Sequence, residues 1–407
     1  MSNLNLTSAR KAKNDEFYTQ FNDIEAEITA YYEYNHEVFR NKIILCPCDD
    51  PEWSNFVNFF ATNFKRYGLK AIISTSYAKS GTNDRLTDIE KNSQYYDAVK
   101  HKTRGKLFVM TGDMNNDGRI DIDDVSFQKY LEGDGDFRSD EVTKLRDEAD
   151  IIVTNPPFSL FREFLKWIMD GKKQFIILGN KNAITYKEVF PLIKSNQLWL
   201  GTTSPKEFDT PDGKSTKKVN GLTRWFTNLD HGMRHEKMML DTMANNLRFN
   251  KSLKKKLAKY GDKNHYPKYD NYDAIEVPIV QCIPSGYKGV MGVPITFLDK
   301  YNPEQFEIVA FRKGNDGKDL VFSGGGEARF NHTFVSLFDF NPRTDQERRR
   351  KTKWENYLRT NHDQIQKEPI DVIFPLATNL KNGLINDCTV NGQKTYVRML
   401  IRHKQSK

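Results

Sequence analysis

Cysteine and long hydrophobic runs are both scarce in this chain of 407 residues. Its 4 cysteines are too few for a disulfide scaffold. No apolar run approaches the roughly 20 residues that a membrane-spanning helix needs, and the sequence opens without an apolar segment of signal-peptide length. We therefore expect a cytoplasmic protein that has no membrane partner.

Apolar residues are also few, at 38% of the chain, but aromatic residues make up 12%. Disordered chains lack aromatics, so the composition predicts a folded protein. The length favours two domains, or one large domain with insertions.

Positive charge is concentrated in one stretch of the sequence. Between residues 204 and 268 lie 15 basic and 7 acidic residues, so this stretch alone accounts for the net charge of +8. Such a local excess favours a phosphate-binding region, although a single lysine cluster is equally consistent with a solvated helix face. The candidate phosphate contacts are Lys217, Lys218, Arg224, Lys254, Lys255 and Lys256.

Predicted strands and helices alternate over the first half of the chain. Short apolar runs that end in polar residues are typical of buried parallel strands. The alternation predicts an α/β fold with a doubly wound sheet, in which ligands bind at the carboxyl ends of the strands. The predicted strands are 43–45, 69–77, 150–158 and 174–179, and the predicted helices are 12–39, 52–66, 140–148, 159–170 and 185–196.

The sequence Asn155-Pro156-Pro157-Phe158 directly follows one of these apolar runs. The two prolines fix the backbone and remove two N–H donors, which leaves carbonyl oxygens exposed in the turn. An Asn side-chain oxygen beside the Pro156 carbonyl suits an amino group with two hydrogens, and the Phe158 ring can stack on a planar base. This constellation is typical of amino methyltransferases. Taken alone, it leaves adenine, cytosine and a glutamine side chain open as substrates.

The methyl donor of such enzymes, S-adenosylmethionine, needs its own site on the same sheet. The turn at 46–56 follows the first predicted strand and contains acidic residues, but it lacks the glycine that is usual there. Asp136 can accept from the adenine amino group of the cofactor while Phe137 packs on the ring. The candidate cofactor-binding residues are Tyr18, Thr19, Cys46, Asp49, Asp50, Asp136 and Phe137.

Longer blocks of sequence show a more specific resemblance. The chain resembles the EcoRI-type adenine-specific DNA methyltransferases, and the glycine-free turn looks like that family's own version. The blocks are DEFYTQ (15–20), CDDP (48–51) with SNF (54–56), GDGDFRS (133–139), VTNPPFSLFRE (153–163), ITYKEVF (184–190), YPKYDNYDAI (266–275) and GVMGVPITFL (289–298).

The resemblance implies transfer of the methyl group of S-adenosylmethionine to the exocyclic 6-amino group of an adenine flipped out of double-stranded DNA. Asn155 and the Pro156 carbonyl would hold the amino group, and Phe158 would stack on the base. The resemblance also implies a monomer in a restriction-modification system, with a cognate restriction endonuclease that acts on the same site. The alternatives are an amino methyltransferase for protein glutamine or RNA, and a catalytically inactive DNA-binding relative.

Four regions are expected along the chain. Residues 1–200 would form the catalytic and cofactor domain, on the Rossmann-like doubly wound sheet of S-adenosylmethionine-dependent methyltransferases, with an inserted acidic loop at 111–132. Residues 201–322 would form the basic DNA target-recognition region. Residues 323–385 look like an insertion without an assigned role, and 386–407 would add a C-terminal strand that returns to the core.

The acidic loop contains a spacing typical of EF-hand calcium sites. Asp113, Asn115 and Asp117 occupy positions 1, 3 and 5, Gly118 occupies position 6, and Asp124 occupies position 12. A shorter Asp replaces the bidentate Glu of position 12, and the sequence shows no helix before the loop. The alternative, which we favour, is an acidic surface turn whose side chains cap local backbone amides.

Overall fold

The computed structural model describes residues 18–52, 54–78, 93–209, 215–218, 221–269, 272–312, 352, 388–391, 393–395 and 397–404. The chain divides into two compact units, the first ending at Gly232 and the second beginning at Met233. Among the described residues, no helix is long and apolar enough to cross a membrane.

The strands and helices are numbered in chain order. The strands are β1 (Tyr18–Thr19), β2 (Ile43–Pro47), β3 (Ala71–Thr75), β4 (Lys106–Met110), β5 (Ser126–Tyr130), β6 (Ile151–Thr154), β7 (Gln174–Asn180), β8 (Trp199–Leu200), β9 (Glu207–Asp209), β10 (Thr216–Lys218), β11 (Thr223–Thr227), β12 (Ala274–Glu276), β13 (Val290–Pro294), β14 (Phe306–Arg312), β15 (Thr389–Val390), β16 (Gln393–Lys394) and β17 (Arg398–His403). The helices are α1 (Phe21–Tyr34), α2 (Asn55–Thr62), α3 (Phe64–Tyr67), α4 (Asp140–Glu148), α5 (Phe161–Asp170), α6 (Phe190–Lys194), α7 (Met243–Phe249) and α8 (Lys251–Ala258).

A mixed sheet of eight strands forms the centre of the first unit, in the order β5-β4-β3-β2-β6-β7-β11-β8. Its four central strands, β3, β2, β6 and β7, run parallel, and antiparallel strands flank them on both sides. The parallel strands are almost wholly apolar and buried, as expected for strands covered on both faces. The chain leaves β2 towards β3 on one side and later returns to place β6 on the other, so the strand order reverses between β2 and β6.

The helical segment after β2 is short because polar residues end it early. Ser54 begins α2 by accepting the Phe56 N–H, which is a common N-cap interaction. Asn63 then interrupts the predicted helix 52–66, with φ −98° and ψ 8°, and its side chain donates to the Phe59 carbonyl. Gly68 ends α3 in the left-handed conformation, with φ 62°, that glycine adopts without strain.

The segment at 111–132, predicted as an inserted loop, contributes a strand to the large sheet. Its second half is β5, which pairs antiparallel with β4 at the edge of the sheet. Both strands escaped prediction because the segment that joins them contains only one short 3-10 helix, Ile122–Asp124, instead of the longer helix expected between strands. In addition, β5 is mostly polar and partly exposed. The prediction of a purely inserted loop is therefore wrong for 126–130.

The predicted domain boundary at residue 200 also differs from the structure. Strand β11 lies in the large sheet between β7 and β8, and its Trp225 and Phe226 are fully buried. The first unit therefore extends to Gly232. The sequence obscured this strand because it lies inside the basic stretch 204–268, where composition suggested a new domain.

The second unit contains a four-stranded sheet in the order β12-β13-β17-β14. The predicted C-terminal strand is present as β17, but it pairs with β13 and β14, so it joins the sheet of the second unit instead of the large sheet of the first. The segment 323–385, predicted as an insertion, lies outside the described residues apart from Thr352.

Candidate active site

Two turns meet where the strand order of the large sheet reverses. We call residues 48–52 the β2 turn and residues 155–158 the β6 turn. Thr154, the last residue of β6, is fully buried, and its Oγ1 lies 2.9 Å from the Pro47 carbonyl oxygen and 2.5 Å from Asp49 Oδ2. Ligands of open α/β sheets bind in the crevice at such a reversal, so both turns line a candidate site.

The β2 turn lacks glycine, and the structure shows how it still bends sharply. Cys48 adopts φ 67°, in the left-handed region that non-glycine residues rarely enter. This bend follows β2 at once and directs Asp49 back towards Thr154. Such conformations persist where the surrounding structure fixes them; here Ser74 on β3 donates to the Asp49 carbonyl.

The Asp49 carboxyl is held by hydroxyl groups. Ser54 Oγ donates to Oδ1 at 2.9 Å, while Thr154 lies against Oδ2. Burial raises the pKa of Asp49 to about 7, the two hydroxyl hydrogen bonds oppose this shift, and the neighbouring Asp50 carboxylate adds to it. Asp49 therefore changes its charge near neutral pH, which is a property typical of functional carboxyls.

Asp50 differs from its neighbour because a lysine neutralises it. Lys106 Nζ, on β4, lies 2.7 Å from Asp50 Oδ2 and 2.8 Å from Glu52 Oε2. Burial raises the pKa of Asp50 to about 6, although the lysine opposes this shift. Sequence analysis missed Lys106, since nothing in its surroundings connects it to residues more than fifty positions earlier. Cys46, also predicted to bind the cofactor, is fully buried and packs in the hydrophobic core.

The β6 turn presents one open aromatic ring. Phe158 is 40% exposed, whereas Phe161, at the start of α5, is 2% exposed. Asn155 and Pro157 are partly buried and Pro156 is buried. The turn thus combines a rigid backbone with an exposed ring at the edge of the parallel strands.

Asp136 and Phe137, which were predicted to bind the adenine of the cofactor, lie in different surroundings. Asp136 receives two hydrogen bonds from the Arg138 guanidinium, at 2.9 and 2.6 Å, and Arg138 also pairs with Glu163. Phe137 is only 2% exposed, and its ring contacts the edges of Phe164 and Trp167. Phe137 is therefore a core residue, and its ring leaves almost no surface on which a ligand could stack.

A glycine holds the segment of Asp136 against the end of β3. A Cβ added at Gly135 would lie 2.2 Å from the Ser76 carbonyl oxygen, and the residue has φ 83°. The neighbouring Asp134 carbonyl accepts the Ala78 N–H at 2.7 Å. This packing brings Asp136 to the same edge of the sheet as the β2 turn, because β3 and β2 run parallel.

Tyr18 and Thr19 form β1, the first strand of a small separate sheet. They pair with Asp209 and Phe208 of β9, and β9 pairs in turn with β10. The Thr19 carbonyl accepts from Asn55 Nδ2 at 2.9 Å, which fixes β1 beside the start of α2 and hence near the β2 turn.

The six predicted phosphate contacts divide between the two units. Lys217 and Lys218 lie on β10, where Lys218 Nζ is 3.6 Å from Glu207. Arg224, on β11, donates to the Ser204 hydroxyl and to the Thr223 carbonyl, so local acceptors occupy its guanidinium. The other three lysines, Lys254, Lys255 and Lys256, lie on α8 in the second unit.

The acidic loop places its side chains on local backbone amides. Asp113 accepts the N–H groups of Asp117 and Gly118, and Asn115 accepts that of Asp117. Burial opposes ionisation of Asp124, but the backbone N–H groups of Asp121, Asn115 and Met114 lower its pKa. Within the described ranges, no group of three or more His, Cys, Asp or Glu side chains could hold a metal ion.

Comparisons with known proteins point to one family. The family model described as "Adenine-specific methyltransferase EcoRI" matches residues 5–404. The type II methyltransferase M.EcoRI of Escherichia coli is 42% identical over 335 residues, which cover 78% of this chain and 92% of the relative. The type II methyltransferases M.MgeORF184P of Mycoplasma genitalium and M.MpnI of Mycoplasma pneumoniae are 37% and 35% identical, each over 74% of this chain and over 84% and 83% of the relative. No solved structure matches the chain.

Proposed function

Since the chain belongs to the family of EcoRI adenine-specific methyltransferases, we propose that the β6 turn binds the target adenine and the β2 turn binds the methyl donor. The chain is an adenine-specific DNA methyltransferase. The observation that carries this division of roles is the contact of Thr154 with Asp49, which joins the two turns where the sheet reverses its strand order. We take the sheet to be the Rossmann-like sheet of S-adenosylmethionine-dependent methyltransferases.

The β6 turn would receive an adenine flipped out of the duplex. The Asn155 side chain and the Pro156 carbonyl would accept the two hydrogens of the amino group, and the exposed Phe158 ring would stack on the base. The amino nitrogen loses its proton after alkylation, so no general base has to act before the attack. Catalysis would therefore consist mainly of positioning.

The acidic groups at the carboxyl ends of β2 and β3 suit a ligand with cationic and amino groups. S-adenosylmethionine, when bound, supplies a methyl group on a positively charged sulfur. Asp49 would hold the amino-acid end of this ligand, because its carboxyl can ionise near neutral pH. Asp136 would accept from the adenine amino group of the ligand, with Arg138 keeping the carboxylate in place. Tyr18 and Thr19 of β1 would cover the ligand.

The basic residues would bind the DNA backbone. Lys217 and Lys218 of the first unit and Lys254, Lys255 and Lys256 of the second would neutralise phosphates. Arg224 would contribute less, since Ser204 and Thr223 already accept from it. Because the relatives are named type II methyltransferases, we further propose a cytoplasmic monomer that protects the sites of a cognate restriction endonuclease.

Sequencing of modified bases tests this function directly. Plasmid DNA from a methylation-deficient host that expresses the chain should carry 6-methyladenine in one sequence motif. The Asn155→Ala variant should leave the DNA unmodified, because the amino group loses its acceptor, while DNA binding stays within about threefold of wild type. Modification by this variant would remove the proposed role of Asn155, and the absence of modification by the wild type would contradict the function itself.

A further inference from the structure

We propose that Thr154 is a positioning residue, which transmits the state of Asp49 in the β2 turn to Asn155 in the β6 turn. This proposal rests on the proposed roles of those two residues. Thr154 itself would contact neither the base nor the methyl donor. It would act through its hydroxyl group, which is the link between the two turns.

The pairing of the strands shows why such a link is needed. The paired residues of β2 and β6 end at Leu45 and Ile152, two positions before Thr154. Beyond this point the backbones of β2 and β6 are no longer paired with each other. The Thr154 hydroxyl bridges them, with the Pro47 carbonyl 2.9 Å away and Asp49 2.5 Å away. Asn155 follows directly, so its backbone position depends on this bridge.

The hydroxyl has one hydrogen but two acceptors within reach. When Asp49 is protonated, its carboxyl can donate to Thr154 Oγ1, and Thr154 can donate to the Pro47 carbonyl. When Asp49 is ionised, the hydroxyl donates to the carboxylate and releases Pro47. A cationic ligand at Asp49 favours the ionised form, so binding at the β2 turn would pull the Thr154 hydroxyl towards Asp49.

Burial has the largest effect on the pKa of Asp49, and the hydrogen bond from Thr154 is the largest influence that opposes it. The side chains that hydrogen-bond to this residue, Ser54 from α2, Ser74 from β3 and Thr154 from β6, do not titrate near neutral pH. The titratable groups beside it come from its own segment: Asp50, which raises the pKa of Asp49, and Cys46, whose thiol pKa is raised by burial and by Asp49. Lys106 of β4 and Glu52 face Asp50.

Two substitutions at Thr154 distinguish the effect of the hydroxyl group from the effect of side-chain volume. Thr154→Val keeps the shape and removes the hydroxyl, whereas Thr154→Ser keeps the hydroxyl. In Thr154→Val, kcat should fall by roughly 100-fold, as expected for misplaced reacting groups, while the dissociation constant for S-adenosylmethionine at pH 8 changes less than about threefold. Thr154→Ser should recover most of the loss.

Calorimetric titration of the full chain with S-adenosylmethionine between pH 5.5 and 8.5 gives a second readout. Removing the Thr154 hydrogen bond removes an interaction that lowers the pKa of Asp49, so the midpoint of the binding profile should move to higher pH in Thr154→Val. It should return towards the wild-type value in Thr154→Ser. A side chain with a merely structural role would leave this midpoint unchanged.

Several results would overturn the proposal. One is a Thr154→Val enzyme with kcat within about threefold of wild type, and another is equal impairment of the Val and Ser variants. An unchanged pH midpoint would also refute it. Thermal unfolding identifies a variant that fails to fold. If Thr154→Val fails to fold, kcat and the pH midpoint of binding are compared among Thr154→Ser, Asp49→Asn and wild type instead. Wild-type methylation and the Asn155→Ala control test the proposed function separately, and the pH midpoint tests the link even if no methylation occurs.

Discussion

The two units each bury a carboxyl group at or near the end of a strand, but the groups that hydrogen-bond to this carboxyl differ. In the second unit, Glu276 is fully buried and receives two hydrogen bonds from Arg398, at 2.9 and 2.5 Å. Tyr269 also donates to it. In the first unit, Asp49 is held by hydroxyl groups, and within the described part of the chain it has no Lys or Arg partner.

This difference distinguishes the structural role of Glu276 from the role proposed above for Asp49. A guanidinium supplies a permanent counter-charge, so the Glu276 pair is fixed across β12 and β17. Burial and the neighbouring Glu276 carboxylate raise the pKa of Tyr260 well above its usual range. Hydroxyl groups supply hydrogen bonds but no charge, so Asp49 keeps a pKa of about 7. The first unit thereby retains a site at which a cationic ligand can provide the missing charge.

Breaking the Glu276 pair should give the largest effect on stability. Glu276→Ala leaves Arg398 buried without its partner, and we expect a loss of about 3–5 kcal/mol in the free energy of unfolding, measured by urea denaturation. The matched control is Glu307→Ala, which removes the exposed pair with Arg402 on the same sheet and should cost about 0–1 kcal/mol. Equal losses in the two variants would show that burial does not distinguish these pairs.

Removing the charge of Asp49 should reduce the pH dependence of cofactor binding. The ionised fraction of a group with a pKa of about 7 falls about tenfold between pH 8 and pH 6, so the wild-type affinity for S-adenosylmethionine should fall by that factor. Asp49→Asn should lose this tenfold component in calorimetric titrations. Asp140→Asn, an exposed site on α4, should keep it, and a similar pH response in all three proteins would exclude Asp49 as the binding group.

A lysine of the second unit should affect DNA binding alone. Lys255→Ala removes an exposed charge from α8, and we expect a few-fold weaker complex whose slope of log K against log salt falls by about 1. Binding of S-adenosylmethionine should not change. Lys65→Ala on α3 is the control of equal charge in the first unit, and an equal loss of slope in both variants would contradict a DNA role specific to α8.

The parallel strands and the β6 turn could be predicted from the sequence because each depends on local information. The apolar runs of β2, β6 and β7 are buried apart from Ile43 at the start of β2, and a motif such as 155–158 is recognisable without its surroundings. Helix boundaries were less predictable, since Asn63 and the turns before α6 interrupt apolar spacings that favour longer helices.

Long-range pairings could not be predicted because their partners give no local signal. Lys106 reaches Asp50 from β4, and Arg398 reaches Glu276 across 122 positions. The burial of Phe137 was not predicted because the sequence Asp136-Phe137 does not reveal which way the ring points. The bridge at Thr154 depends on where the pairing of β2 and β6 ends, which only the paired structure reveals.

The position of β17 has a consequence for the order of synthesis. It lies between β13 and β14, so these two strands leave the ribosome well before the neighbour that joins them. During that interval both have uncovered edges, which can pair with the wrong partner. The nascent chain therefore carries two strand edges that wait for a partner between the synthesis of β14 and that of β17.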